Sequence, residues 1–223
     1  MGGLHAGHAQ LMRVARSTSR GTTLVSVFIN PLQFGPSEDY ERYPRCLDDD
    51  LALVGSTGVE AVWAPSLEDV YPEGPEQGFR QMVPPSLQTH LCGAGRPNHF
   101  DGVASVVARL LELVRPDRLV LGEKDWQQLV ILRRLVADLN RPVKVLGVPT
   151  VREADGLALS SRNRYLSPDE RERAAALPRT LQSARFEDDL NGVRRALIAA
   201  GLEVEYVCLL YTSPSPRDLS TTR

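Results

Sequence analysis

The chain has 223 residues, which suits one large domain with or without a smaller one, and at this size folding buries roughly 70% of the unfolded chain's surface without disulfides or metals. With 42% hydrophobic and 24% charged residues the composition is that of a globular protein, and 26 basic against 28 acidic residues leave a net charge of −2, too little basicity to wrap nucleic acid by bulk charge. No apolar run reaches the roughly 18–20 residues of a membrane span, and the first residues lack the basic and apolar regions of a signal peptide, so no membrane or nucleic-acid partner is expected.

In chain order, helix and strand patterns alternate. Residues 9–20 predict a helix with Leu11, Val14 and Ala15 on one face. Residues 22–29 (TTLVSVFI) are β-branched and apolar and predict a buried strand. A helix over 44–54 and a strand over 58–64 follow, then a Gly- and Pro-rich stretch, 68–95, expected to hold loops and a short helix. Residues 102–114 are apolar on most sides and predict a buried helix. A strand over 117–121, a helix over 124–139 and a strand over 142–148 complete the alternation. This order implies βαβ units and a parallel sheet with helices on both faces.

After Asn163 the pattern changes. Ser167-Pro168-Asp169-Glu170 is a helix start, with a capping serine, a proline in the first turn and acids near the positive end of the dipole. Helices over 168–184 and 187–200 and a strand over 202–209 would make a partial second domain, 167–210, beside a first domain, 1–166. The tail 211–223 has almost no apolar residues and is expected to be disordered. Cys46, Cys92 and Cys208 are odd in number and widely spaced, which points away from a disulfide framework and toward a reducing cytoplasm.

Several short stretches could carry chemistry. In His5-Ala6-Gly7-His8 two imidazoles precede a helix N-terminus, where free N–H groups attract anions, and Gly2, Gly3 and Gly7 let a ligand approach the backbone. That suits nucleotide phosphates; a metal pair or surface histidines are the alternatives. Gly122-Glu123-Lys124-Asp125 follows a strand directly, at the edge where open parallel sheets bind ligands, though acids also open ordinary helices. Leu159-Ser160-Ser161-Arg162-Asn163 could clamp a triphosphate or be a hydrophilic loop. Asn30, Gln33 and Gln128 offer uncharged amides to a carboxylate- and hydroxyl-bearing substrate, or cap turns. Asp48-Asp49-Asp50 reads as a solvated helix face or a Mg²⁺ site. Arg96 and His99 precede the buried helix in what would be a lid or substrate loop.

Taken as an ordered set, MGGLHAGH, VFINPLQFGPSEDYERYPR, LCGAGRPNHFDGVASVV, LGEKDWQQL and PTVREADGLALSSRNRYLS closely resemble the pantothenate synthetases, pantoate–β-alanine ligases. The likeness runs from Met1 to about Leu181. It implies a Rossmann-like α/β fold of the HIGH-motif nucleotidyltransferase type, a small α+β C-terminal lid domain and a homodimer. It also implies a two-step reaction in which pantoate and ATP give pantoyl adenylate and pyrophosphate, and β-alanine then gives pantothenate and AMP. Position by position, Met1, Gly2, Gly3, His5 and His8 match the ATP loop, with His8 as its acid. Gly122, Glu123, Lys124 and Asp125 match a second ATP segment, Val151 an adenine contact, and Leu159, Ser160, Ser161 and Arg162 the segment that closes on phosphates. Gln33 and Gln128 match the pantoate pair, Asn30 and Arg96 the lining of the same cleft, and Asp49 and Asp50 a Mg²⁺ pattern.

The resemblance further implies a strand and a threonine-bearing turn ahead of Met1, and a C-terminal domain longer than this one; residues 211–223 resemble nothing in the family. The competing expectations are another nucleotidyltransferase of the same motif and an inactive fragment.

Overall fold

Two βαβ units organise the first of two compact units, Met1–Leu166, in a computed structural model that describes residues 2–184 and 190–210. Met1, the start of the helix expected over 187–200 and the expected tail 211–223 lie outside the described residues. In one βαβ unit β1 (Leu24–Ser26) runs parallel to β2 (Ala61–Trp63), with Val25 opposite Val62, and helix α2 (Leu47–Gly55) lies in the connection. In the other, β3 (Arg118–Gly122) pairs in parallel with β4 (Lys144–Val148), Val120 opposite Leu146, through helix α7 (Trp126–Asp138). A parallel pair needs such a crossover, because a tight turn would reverse the chain.

Helix α1 (Ala6–Thr18) lines the same cavity as residues of both pairs. At its carboxyl end Arg16 forms an ion pair with Glu60, and Glu60 accepts from Thr23 N (3.0 Å), just ahead of β2 and β1. At its amino end His5 feels the charge of Lys124, two residues beyond β3.

The single sheet expected from the alternation is here two separate two-stranded ladders, and β1 and β3 do not pair. Both ladders face one cavity, which lies between them. Parallel sheets are normally covered on both faces. Here only Val148 among the strand residues is fully buried (3% exposed). The strand read over 22–29 shrinks to three residues because its partner is equally short and Asn30-Pro31 turns the chain; the ladder's last bond is Val27 N to Trp63 O (2.9 Å).

The core lies between α6 (His99–Val114) and α7. Phe100, Val103 and Ala104 pack with Ile131, Leu132 and Leu135, and Ala104 and Leu132 are wholly buried. Helix α6 presses on the 3₁₀ turn Pro31–Gln33 through Gly102: a Cβ there would stand 2.0 Å from the Leu32 carbonyl oxygen, so only glycine allows the approach. The Gly- and Pro-rich stretch holds three one-turn helices, α3 (Leu67–Val70), α4 (Pro85–Gln88) and α5 (Cys92–Gly95).

The second unit, Ser167–Arg223, shows helices α8 (Pro168–Ala174), α9 (Ala176–Ser183) and α10 (Leu190–Ala199). Ser167 and Glu170 form the expected capping box (Ser167 N to Glu170 Oε2 2.8 Å, Glu170 N to Ser167 Oγ 3.3 Å). The helix expected over 168–184 breaks at Ala175, because Pro178 has no N–H for the carbonyl of Ala174. The strand expected over 202–209 is absent. Arg194 instead takes the carbonyls of Val204 (2.6 Å) and Glu205 (3.2 Å), and no strand pairs with this segment among the described residues. The described part of this unit is thus helical, not α+β.

Truncating Leu132 to Ala should lower the unfolding free energy by about 2–5 kcal/mol, the range for a deeply buried leucine. Urea unfolding with an unchanged m-value measures it. Val130→Ala, at an exposed position on the same helix, should stay within about 0.5 kcal/mol.

Candidate active site

The site is built on a turn that a buried carboxylate holds. Asp50, on α2 and 2% exposed, accepts from Gly3 N (2.9 Å) and Leu4 N (2.6 Å). Gly3 sits at φ +66°, and a Cβ there would meet Pro44 at 3.0 Å. Ser161 Oγ donates to Gly3 O (2.7 Å), tying the turn to the 3₁₀ helix Ser161–Tyr165.

From this turn the chain enters α1 with His5 as its cap. His5 Nδ1 accepts from Gly7 N (3.1 Å), and His8 Nδ1 accepts from His5 N (3.2 Å). An Nδ1 that accepts carries no proton, so each neutral ring holds its hydrogen on Nε2. The ring centroids are 4.1 Å apart. Burial, and then the neighbouring His5, push the His8 pKa down from 6.5 to about 3; burial and then Lys124 lower that of His5. Both imidazoles are therefore neutral N–H donors at pH 7. A cavity wall beside a second imidazole and a lysine disfavours the imidazolium.

One cavity of about 750 Å³ collects most of the expected groups. His5 and His8 line it with Gly122, Lys124, Asp125 and Gln128 from the carboxyl end of β3 and the start of α7. Val151, Leu159, Ser160, Ser161 and Arg162 line it from a hairpin-like segment closed by Leu159 N to Val151 O (3.0 Å). Gln33 and Arg96 complete it. Lys124 Nζ lies 3.4 Å from Asp125 Oδ1 with its side chain 38% exposed. The Gln33 carbonyl accepts from His99 Nδ1–H (2.7 Å) and Arg96 Nη2 (3.4 Å).

Other expected site residues belong to the scaffold. Asn30 is 2% exposed and does not line the cavity: its Oδ1 accepts from Tyr71 Oη (3.0 Å) and Leu32 N (3.3 Å), and its Nδ2 donates to Gly102 O (3.0 Å) and Gln33 Oε1 (3.4 Å). It steadies Gln33 rather than lining the cleft. Gly2 and Gly3 are buried and shape the turn, and Glu123 sits outside the cavity with its carboxylate against Gly147. Ser161 lines the cavity but uses its hydroxyl proton on Gly3 O. The Mg²⁺ expectation for Asp49 and Asp50 does not fit: both Asp50 oxygens are taken by backbone N–H groups, Asp49 is exposed, and no group of three or more His, Cys, Asp or Glu among the described residues could hold a metal.

Sequence reading passed over two carboxylates. Glu38 grips Arg96 (Oε1 to Nε 2.7 Å, Oε2 to Nη2 2.6 Å), and Asp39 grips Arg162 (Oδ2 to Nε 2.9 Å, Oδ1 to Nη2 2.6 Å). Those arginine bonds hold both carboxyls below the usual range. His99 also lines the cavity, its pKa lowered chiefly by burial. The available signal was the place of Glu38 and Asp39 in the stretch that also supplies Gln33.

A family model described as pantoate–β-alanine ligase matches residues 1–217. The chain belongs to the pantoate–β-alanine ligase family. It is 61% identical over 207 residues to a bifunctional pantoate ligase/cytidylate kinase of Synechococcus sp. (strain CC9605), and 62% over 210 residues to that of strain CC9902. Each match covers 93% of this chain but 43% of the relative, so the chain spans less than half the length of these curated relatives. Among solved structures, a pantothenate synthetase from Thermus thermophilus is 50% identical with a TM-score of 0.82, over 90% of this chain and 73% of that one. A pantoate–β-alanine ligase from Francisella tularensis, complexed with β-γ ATP and β-alanine, is 34% identical with a TM-score of 0.88, over 95% and 79%. The α/β fold with parallel strands is thus that of the pantoate–β-alanine ligases.

Two outcomes follow from the buried groups. Asp50→Ala leaves the N–H groups of Gly3 and Leu4 without their acceptor and should cost about 1–3 kcal/mol of stability in chemical denaturation. Above pH 6.5 His8 is neutral folded and unfolded alike; below it the unfolded chain takes a proton that the folded chain refuses down to about pH 3. Stability should therefore fall as pH drops through that window, and His8→Gln should make the loss shallower in melts at pH 7, 5.5 and 4.5.

Proposed function

We propose that this chain carries an AMP-forming pantoate–β-alanine ligase site, with ATP at the imidazole and lysine end of the cavity and pantoate beside Gln33 and Gln128. The observation that carries the reading is the convergence of two Nε2–H donors fixed by backbone bonds, Lys124, and two glutamines on one cavity at the carboxyl ends of parallel strands. Family membership and the ATP- and β-alanine-bound Francisella relative support it.

In the first step a carboxylate oxygen of pantoate attacks the α-phosphorus, the bond to the bridging oxygen breaks, and pyrophosphate leaves. His5 and His8 donate Nε2–H bonds to phosphate oxygens as charge develops there; being neutral and already oriented, they need no reorganisation. Lys124 acts as a mobile point charge on the departing polyphosphate, and Arg162 as its planar counterpart. Gln33 and Gln128 supply donors and acceptors to the carboxylate and hydroxyls of pantoate. In the second step the amine of β-alanine attacks the acyl carbon of pantoyl adenylate and AMP departs. The protein offers no carboxylate cluster for Mg²⁺ among the described residues, so the metal belongs to this reading only as a companion of ATP. Homodimeric assembly and a cytoplasmic setting go with the same reading; no helix among the described residues is long and apolar enough to cross a membrane.

The test is AMP release measured with pantoate and β-alanine each omitted in turn. Release that needs both supports the ligase; release with neither, or with a nucleotide acceptor instead, points to another nucleotidyltransferase, and no cooperative melting with or without ATP points to an inactive fragment. His8→Ala should slow single-turnover adenylate formation by a factor on the order of 10²–10³, the scale of losing one oriented donor to developing charge. Gln128→Ala should weaken pantoate more than ATP in calorimetric titrations; equal losses would contradict its placement on pantoate.

A further inference from the structure

Adjacent residues Glu38 and Asp39 each hold a different arginine of the cavity wall. Glu38 grips Arg96 through two bonds of 2.6 and 2.7 Å, and Arg96 Nη1 lies 3.0 Å from His99 Nε2 while Nη2 reaches the Gln33 carbonyl (3.4 Å). Since His99 Nδ1 donates to that same carbonyl (2.7 Å), Nε2 is the acceptor and the ring is neutral. Glu38 thus reaches, through one guanidinium and one imidazole, the residue read as a pantoate contact. Asp39 grips Arg162 in the same two-pronged way (2.6 and 2.9 Å), and the Asp39 side chain is only 9% exposed.

The segment bearing both acids is braced. Phe34 packs edge-on against Tyr40 and Tyr43 at centroid distances of 5.2 and 5.6 Å, and the Arg162 guanidinium lies 5.3 Å from the Tyr43 ring centroid. Tyr165 Oη donates to Arg42 O (3.0 Å), and Arg42 lies over the Tyr165 ring at 5.5 Å. The braced segment is therefore laced to the phosphate-side segment by an ion pair, two cation–π contacts and a hydrogen bond. A bidentate carboxylate fixes the plane of a guanidinium as well as its position, which a single point charge cannot do.

We propose that Glu38 and Asp39 form a two-carboxylate bracket that positions the two halves of the site separately: Asp39 orients Arg162 for the polyphosphate of ATP, and Glu38 orients Arg96, His99 and hence Gln33 for the hydroxy acid. Both are positioning residues that act through their arginines. The proposal rests on the functional reading above for the identity of the two ligands. Two carboxylates one residue apart face two like-charged guanidiniums and keep each in its own half, so removing one should affect one ligand.

The experiment is calorimetric titration of ATP and of pantoate into the unsubstituted chain, Asp39→Asn, Glu38→Gln and Arg162→Lys, with thermal melts alongside. Asp39→Asn should weaken ATP by about five- to twentyfold, the scale of losing a charge-assisted bidentate contact, with pantoate within about twofold. Glu38→Gln should do the reverse. Arg162→Lys keeps the charge and loses the fork, and should repeat the ATP-selective loss even where Asp39→Asn does not fold. A merely structural role would weaken both ligands alike in both acid variants, and that result overturns the bracket. Tighter ATP binding by Asp39→Asn overturns it too, because Asp39 would then compete with phosphate for Arg162. Failure of the unsubstituted chain to bind pantoate counts against the functional reading, while the ATP comparison still decides Asp39.

Discussion

The carboxylate of Asp50, out of water and bonded to two successive backbone N–H groups, is the constraint on which the site depends. It holds Gly3 and Leu4 at the mouth of α1, and Ser161 fastens the same turn from the opposite side through the Gly3 carbonyl. With the turn fixed, the backbone itself sets the imidazoles: the N–H of Gly7 and that of His5 each occupy an Nδ1, which leaves both Nε2–H groups as the donors. A buried carboxylate is tolerable only when its lone pairs are satisfied, and here charge-assisted bonds to backbone N–H groups do this. An aspartate therefore controls a histidine tautomer without touching either ring.

The cavity's charge balance follows the same logic. Neutral imidazoles stand beside Lys124, and two arginines of the wall, Arg96 and Arg162, are each matched by a carboxylate from one braced segment. Fixed cations would repel one another in a half-buried cavity. Pairing each guanidinium with its own carboxylate lets both remain there, oriented, for a ligand rich in negative charge. The scaffold beneath is open rather than closed: β1 and β3 face the same space without pairing, so the cavity continues from the ligand groups down between the two ladders.

Much of this was legible in residue patterns, for local reasons. The helices announced themselves by apolar spacing, and the second unit's first helix by its Ser-Pro-Asp-Glu start, because capping and amphipathicity are properties of neighbouring residues. The histidine pair, the Gly-Glu-Lys-Asp turn and the Ser-Ser-Arg stretch were legible because their chemistry is concentrated within a few positions. Asp50 was misread for the converse reason. On a helix an aspartate run looks the same whether it faces solvent, a metal or a buried turn, and only the approach of Gly3 and Leu4 distinguishes them. Asn30 was placed in the cleft by its position after a strand, yet its amide is used by Tyr71, Leu32 and Gly102. Strand length and the missing ladder over 202–209 escaped as well, since a strand exists only where a second one accepts its bonds.

The sequence by itself determined the order of the elements, the alternation of strand and helix, the chemical types brought to the site and the family likeness. Tertiary structure alone decided which polar side chains face the cavity and which are used up in holding it. The partners that make that choice stand far apart in the chain, Asp50 and Leu4 by 46 residues and Ser161 and Gly3 by 158. Hydrogen-bond satisfaction in a folded interior is set by proximity in space, and no local pattern of residues encodes which distant N–H will arrive.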